Sequence, residues 1–264
     1  AGHGSALLYA TLHLCGYNIT KEDLKQFRSI DSKLPGRPEF GVTPGVDFTT
    51  GALGQGIANA VGIAFAERYL RNILVQEEAP NLIDYRTYVL CGDGDLMEGI
   101  SYEACSFAGM QKLDKLILLY DCNKMTNDGS IDTTFIDEIE KRFESIGFYT
   151  ETVKDGMNIK TIDKAIHNAK KSKKPSILIF NTILGKDSMN ENKSVVHGGP
   201  LSDDDVFAIK RKLNITIAPF EVRKDTIVHI QKLISDRVGN KYNEYIDDFN
   251  RIKSSGNDRL INLL

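Results

Sequence analysis

The stretch from Tyr88 to Asn123 constrains this chain more than any other. An apolar run, Tyr88-Val89-Leu90-Cys91, stops at Gly92-Asp93-Gly94, and a helix-compatible segment follows. A second apolar run, Leu116 to Tyr120, ends on Asp121-Cys122-Asn123. Strand, helix and strand in that order make a βαβ unit. Such crossovers are right-handed and parallel, so both strands finish on the same edge of the sheet. Asp93 and Asn123 are thirty positions apart, yet each lies just past a strand's carboxyl end, on the edge where open α/β sheets bind ligands. One charged and one neutral oxygen suit a hard cation such as Mg²⁺, which completes its shell with phosphate oxygens and water. Gly92 and Gly94 let backbone N–H groups approach an anion, and the helix after them adds its positive end. The pattern points to a diphosphate held through a metal. Taken singly, the GDG is also what a plain βα turn needs, and Asn123 what an Asx turn needs.

The rest of the chain fits the same class. Ser5 to Leu14 has helical spacing, and Thr20 ahead of Glu22 and Asp23 starts a short capped helix. Leu34 to Pro44 is Gly- and Pro-rich loop, leading to Thr49-Thr50-Gly51-Ala52-Leu53-Gly54-Gln55-Gly56, whose glycines permit close backbone approach. A long helix follows from Gln55 to about Arg71. Its Ala- and Gly-rich face suits either a close helix contact between subunits or packing on the sheet. Beyond Asn123, helices are expected at Asp137 to Ile146 and Ile162 to Lys171, with strands at Phe148 to Val153 and Ser176 to Ile183. The near-continuous apolar run of the last strand implies cover on both sheet faces. The polar loop from Leu184 to Gly199 carries His197 and leaves a strand's carboxyl end, so three loops converge on one edge. Ser202 then caps a helix reaching Leu213. The remainder has helical spacing, interrupted near Gly239.

Composition narrows the function classes. Apolar residues are 41% and charged residues 26% of the chain, as in ordinary globular domains. A net charge of −3 lacks the basic face a nucleic-acid partner would need. No apolar run reaches the length of a membrane span. Cys15, Cys91, Cys105 and Cys122 show no CxxC spacing, Cys91 and Cys105 fall in apolar contexts as small buried hydrophobes, and the usage fits a reducing cytoplasm. There is no GxGxxG opening a helix, which argues against a dinucleotide-binding Rossmann protein.

GDG followed at this distance by Asn resembles the thiamine-diphosphate motif. The string GDGDLMEGISYEACSFAG from Gly92 to Gly109, Thr49 to Gly56, and Val196-His197-Gly198-Gly199-Pro200-Leu201 resemble the transketolase family in particular. The resemblance implies an α/β, thiamine-diphosphate-binding fold: a mainly parallel sheet flanked by helices on both faces, with a helical C-terminal tail. It implies a diphosphate-binding domain over residues 1–219, followed by a tail, 220–264, leading toward a pyrimidine-binding domain. It further implies that a family segment with a Gly-His-Pro motif is missing ahead of Ala1. The activity implied for the full protein is transfer of a two-carbon ketol unit between sugar phosphates in a cytoplasmic homodimer of the pentose phosphate pathway, with no nucleic-acid or membrane partner.

Carried over by position, Asp93, Asn123 and the carbonyl of Met125 resemble the ligands of Mg²⁺ or Ca²⁺. Gly92 and Gly94 flank the diphosphate, while Gly51 and Leu53 resemble the positions whose backbone meets the aminopyrimidine. His3 and His197 resemble histidines near the diphosphate and thiazolium, with His197 handling protons on substrate or cofactor. Glu98 and Glu103 resemble an interface carboxylate network linking two active sites; helix-terminal charge stabilisation is the alternative. His13, His167 and His229 read as structural or surface residues.

Three positions depart from the family pattern. Arg37 stands where many members have a substrate-contacting histidine, Asn127 where an aliphatic residue packs on the cofactor, and Cys122 where an acid or amide is common. The glutamate that activates the aminopyrimidine comes from a second domain beyond Leu264, so the chain alone is expected to be inactive. A subunit of a split transketolase, and a sister enzyme making deoxyxylulose phosphate or dihydroxyacetone, remain open on the sequence.

Overall fold

Periodicity places the elements well, and their boundaries follow from caps and glycines. The computed structural model describes residues 1–74, 79, 82–256 and 261. Helix α1 spans Ser5–Leu14 and α2 spans Lys21–Lys25. Thr20 caps α2 by accepting from the Asp23 N–H, and Asp23 accepts the Thr20 N–H in return, a reciprocal capping box. Helix α3 runs from Gln55 to Leu74 and buries Ile57, Ala60, Val61 and Ala64 along one stripe.

Strand β1 (Thr87–Gly92) leads into α4 (Asp93–Met97) and α5 (Gly99–Met110), then β2 (Leu116–Cys122). The single helix expected here is broken at Glu98, whose backbone is extended (φ −75°, ψ 133°). Glu98 serves as N-cap for α5, and Gly99 after it is a poor helix former, so two short helices replace one. Past Asn123 the chain folds into a hairpin the sequence reading did not anticipate: β3 (Met125–Thr126) pairs antiparallel with β4 (Gly129–Ser130) across Asn127 and Asp128. Helix α6 (Ile139–Ser145), strand β5 (Tyr149–Val153), helix α7 (Ile159–Lys171) and strand β6 (Ser176–Asn181) follow close to their expected positions. Short α8 (Val195–Gly198) lies within the His197 loop, and α9 (Asp203–Lys212) starts on Ser202, whose hydroxyl accepts the Asp205 N–H.

The sheet has the order β1-β2-β6-β5 and every pairing is parallel. Ala165 and Ala169 of α7 pack with Ile117, Val153, Leu178 and Phe180 on one face. Leu118, Tyr120, Ile177 and Ile179 are buried on the other. The central strands are therefore covered on both sides. Edge strand β1 differs: Val89 and Cys91 are buried, but Tyr88 and Leu90 are 45% and 47% exposed.

The chain divides into two compact units. One comprises Ala1, Gly51–Gly62 and Thr87–Ala218, and holds the sheet. The other comprises Gly2–Thr50, Ile63–Arg86 and Pro219–Leu264. Its core joins Tyr9, Leu12, Ile19, Leu34 and Val46, with Phe27 edge-on to Tyr9. A second cluster sets Ile252 and Phe249 against Leu70 and Leu74. Those first two residues belong to α10, which runs unbroken from Lys224 to Ser254. The interruption expected near Gly239 does not occur: a helical glycine costs only about 1 kcal/mol, and the flanking turns carry it. Residues 257–260 and 262–264 of the expected tail lie outside the described residues.

Candidate functional site

The β1–α4 turn is built on two carboxylates with separate tasks. Asp93 opens α4 and is buried. Its Oδ1 accepts from the Tyr120 hydroxyl at 2.6 Å and its Oδ2 from the Lys124 N–H at 3.1 Å. Lys124 reaches it because its backbone is left-handed (φ 61°), an uncommon conformation for a residue with a side chain. Burial pushes the Asp93 carboxyl above its usual range, and neighbouring Asp121 adds to this. The Tyr120 hydroxyl and the backbone N–H groups of Lys124 and Asn123 pull the other way. Asp95 is also buried, and its two oxygens receive the N–H groups of Gly92 and Gly54, each at 3.0 Å.

Asn123 sits half-buried at the end of β2. Its Oδ1 accepts the Met125 N–H at 3.0 Å, so the Asx turn considered from sequence is present. Its Nδ2 donates to Asp121 Oδ2 at 3.0 Å, and Asp121 Oδ1 accepts from the Thr182 hydroxyl at the end of β6. Tyr120 is held in its neutral form, since burial and the Asp93 charge push its hydroxyl far above the ordinary phenol range. Cys122 is likewise pushed up, by burial first.

Two further segments border this edge. Gly54 is left-handed (φ +75°), and a Cβ there would lie 2.7 Å from Glu98 Cβ and 2.8 Å from Ser101 Oγ. Leu53 approaches Gly94, whose added Cβ would meet Leu53 Cδ1 at 3.2 Å. On the other side, a Cβ on Gly198 would lie 3.0 Å from Asn127 Oδ1. That contact brings the loop carrying half-buried His197 against the β3–β4 hairpin. Gly92, Asp93, Gly94, Leu53, Asn123, Met125 and the His197 loop thus belong to one neighbourhood, with Gly51 on the same segment as Leu53. Glu98 and Glu103 are both exposed. His3, in the 3-10 turn Gly2–Gly4, and Arg37 are exposed residues of the other compact unit.

Sequence reasoning missed Asp95, Tyr120, Lys124 and Thr182. Asp95 was findable, because an acid three residues after an N-cap is capping-box spacing. The others carried no local signal.

The donor set fits a hard cation. Among the described residues, no group of three or more His, Cys, Asp or Glu side chains could hold a metal. The nearest hard oxygens are the buried Asp93 carboxyl, bonded to the Lys124 N–H, and the Asn123 amide oxygen one residue earlier, bonded to the Met125 N–H; both are donor types a hard cation takes. A cation beside the Asp93 carboxyl would oppose the upward push of burial. Glycines at 54 and 94 keep the flanking backbone close.

A parallel sheet carrying buried Asp93 and the Asn123 turn at its carboxyl edge has the form of a ligand-binding α/β domain. The family model described as "Transketolase, thiamine diphosphate binding domain" matches residues 1–261. A probable transketolase of Streptococcus pneumoniae is 44% identical over 244 residues, which are 92% of this chain and 37% of that relative. The solved transketolase of Leishmania mexicana superposes with a TM-score of 0.91 at 39% identity, over 96% of this chain and 38% of that one. A Pichia stipitis transketolase, solved in complex with sedoheptulose 7-phosphate, gives 0.91 at 37% identity, with the same coverage. The chain belongs to the transketolase family, as its thiamine diphosphate binding domain. It spans less than two fifths of the length of these relatives.

Proposed function

We propose that the protein containing this chain transfers a two-carbon ketol unit from a ketose phosphate to an aldose phosphate, with thiamine diphosphate and a divalent cation, Mg²⁺ or Ca²⁺. The carrying observation is the Asp93 carboxylate against the backbone that follows Asn123, with Lys124 N–H at 3.1 Å. That contact supports a shared cation held by Asp93, Asn123 Oδ1 and the Met125 carbonyl. Gly92, whose own N–H is held by Asp95, and the N–H of Gly94 border the diphosphate, and the backbone at Gly51 and Leu53 borders the aminopyrimidine. When bound, thiamine diphosphate supplies the carbon nucleophile needed to break and remake a bond beside a carbonyl. The chain's own part is to bind, orient and move protons. His197, on the half-buried loop against the β3–β4 hairpin, exchanges a proton with a substrate hydroxyl or the cofactor's amino group. The sedoheptulose 7-phosphate complex of the Pichia stipitis relative supports sugar phosphates as substrates.

Glu98 is the N-cap of α5 and Glu103 lies on it, and the same helix exposes Ile100, Phe107 and Met110. An apolar face with embedded carboxylates supports a subunit contact in a homodimer, with the glutamates linking two active sites. Four free thiols support a cytoplasmic setting in the pentose phosphate pathway.

The test is calorimetric titration of the full-length protein and of this chain with thiamine diphosphate, with and without Mg²⁺. An assay with xylulose 5-phosphate and ribose 5-phosphate follows. Metal-dependent binding and turnover by the full-length protein alone are expected. Absence of metal-dependent binding by the full-length protein would refute the reading. Turnover only with pyruvate as donor, or only with formaldehyde as acceptor, would reassign the protein to a sister enzyme. A co-purifying second polypeptide would make it half of a split enzyme.

A further inference from the structure

We infer that Asp95 is a positioning residue that locks the segment around Gly54 to the Gly92–Gly94 turn, and so sets the spacing between the parts of the site facing the two ends of the cofactor. The inference deepens the proposed function and rests on it for the identity of the ligand.

Each Asp95 oxygen receives one backbone N–H, that of Gly92 three residues back and that of Gly54 forty-one residues back. Both distances are 3.0 Å and the side chain is 4% exposed, so neither bond competes with bulk water. The Asp95 backbone is fixed as well, since its carbonyl accepts from Ser101 Oγ at 2.5 Å. Around this point the two segments touch twice more. Leu53 lies against Gly94, and Gly54 is pressed on the α4–α5 junction at Glu98, Ile100 and Ser101. A buried carboxyl that receives one backbone N–H on each oxygen ties the two segments together at fixed points. Its neighbour Asp93 is differently employed, on Tyr120 and Lys124. Two acids in one helical turn thus divide the work, Asp93 facing the β2 loop and Asp95 holding the Gly54 loop.

The consequence is specific. Gly51 and Leu53 precede the clamped residue, and their proposed partner is the aminopyrimidine ring, not the diphosphate. Removing the clamp should weaken recognition of the ring more than diphosphate and metal binding, because the Gly92–Gly94 turn is also held by β1 and by the Asp93 contacts, whereas the Gly54 loop loses its buried acceptor. A residue that merely stabilised the fold would weaken both alike.

The experiment uses full-length protein and Asp95→Asn, which replaces one acceptor oxygen by an N–H₂ facing an N–H. Calorimetry measures thiamine diphosphate and inorganic pyrophosphate, each with Mg²⁺. Loss of one buried charged hydrogen bond should lower thiamine diphosphate affinity about tenfold or more, with pyrophosphate affinity within about threefold of wild type. Hydrogen exchange should rise at the Gly54 amide. Where Asp95→Asn does not fold, Asp95→Glu keeps charge and both acceptors on a longer stem and should show the same split at smaller size. Equal losses for both ligands, or no loss for either, would overturn the inference while leaving the proposed function intact. Wild-type protein that binds neither ligand would overturn both.

Discussion

Replacing Tyr120 by Phe removes one oxygen and leaves the buried ring in place, so no cavity accompanies the change. The oxygen lost is the 2.6 Å donor to Asp93 Oδ1. Both partners are buried, at 1% and 2% exposure, so water cannot take its place. A hydrogen bond to a charged group contributes about 1.5–3 kcal/mol. At roughly 2–4 °C per kcal/mol for a domain of 150–250 residues, metal-free Y120F should melt about 3–12 °C below wild type. The pH dependence identifies the cause. Burial already raises the Asp93 carboxyl, and the Tyr120 hydroxyl counters that by favouring the ionised form. Without it the native carboxyl rises further, so the variant takes up a proton at higher pH than wild type. The deficit is therefore full above the variant's raised native pKa, shrinks as pH falls from there to the wild-type native pKa of Asp93, and is absent below it. Thermal melts in chelator across a pH series would measure both. A loss below about 0.5 kcal/mol, or one that stays constant from neutral pH into acid, would refute the reasoning and reduce Tyr120 to a packing residue.

Other outcomes follow from the same geometry. Gly54→Ala meets Glu98 Cβ at 2.7 Å in a left-handed backbone, and should cost about 2–4 kcal/mol in a thermal melt. Gly109→Ala is harsher, since its Cβ would collide with the backbone oxygen of Ile146; α5 cannot stay against the α6–β5 turn, and the variant should be largely insoluble on expression. Asp121→Ala frees the Asn123 amide and the Thr182 hydroxyl at once. Loss of such outer support typically lowers metal affinity about 10–100-fold, and Mg²⁺ titration of the full-length protein should show it, with the melting temperature falling by only a few degrees, as expected for roughly 1–2 kcal/mol. Ser202→Ala removes the cap of α9 and should cost about 1 kcal/mol, read as faster proteolysis in the Leu184–Gly199 loop.

The sequence by itself determined what depends on local periodicity and on rules of chain connection. Apolar runs of strand length, a helical stretch between them and the handedness of βαβ crossovers were enough to put Asp93 and Asn123 on the same sheet edge. Caps at Thr20 and Ser202 were legible because they are local. Tertiary structure decided the rest, because its partners are far apart in the chain. Nothing near Asp95 announces Gly54, forty-one residues away, and nothing near Tyr120 says its hydroxyl will meet Asp93. The break at Glu98, the left-handed Lys124 and the hairpin after Asn123 arise where buried polar groups must find donors within a fixed neighbourhood. Even α10 runs through Gly239 against local propensity, and its far end is held where Ile252 and Phe249 pack against α3. A periodic pattern shows which face of an element is buried; which polar groups meet there is fixed only when the chain closes on itself and water is excluded.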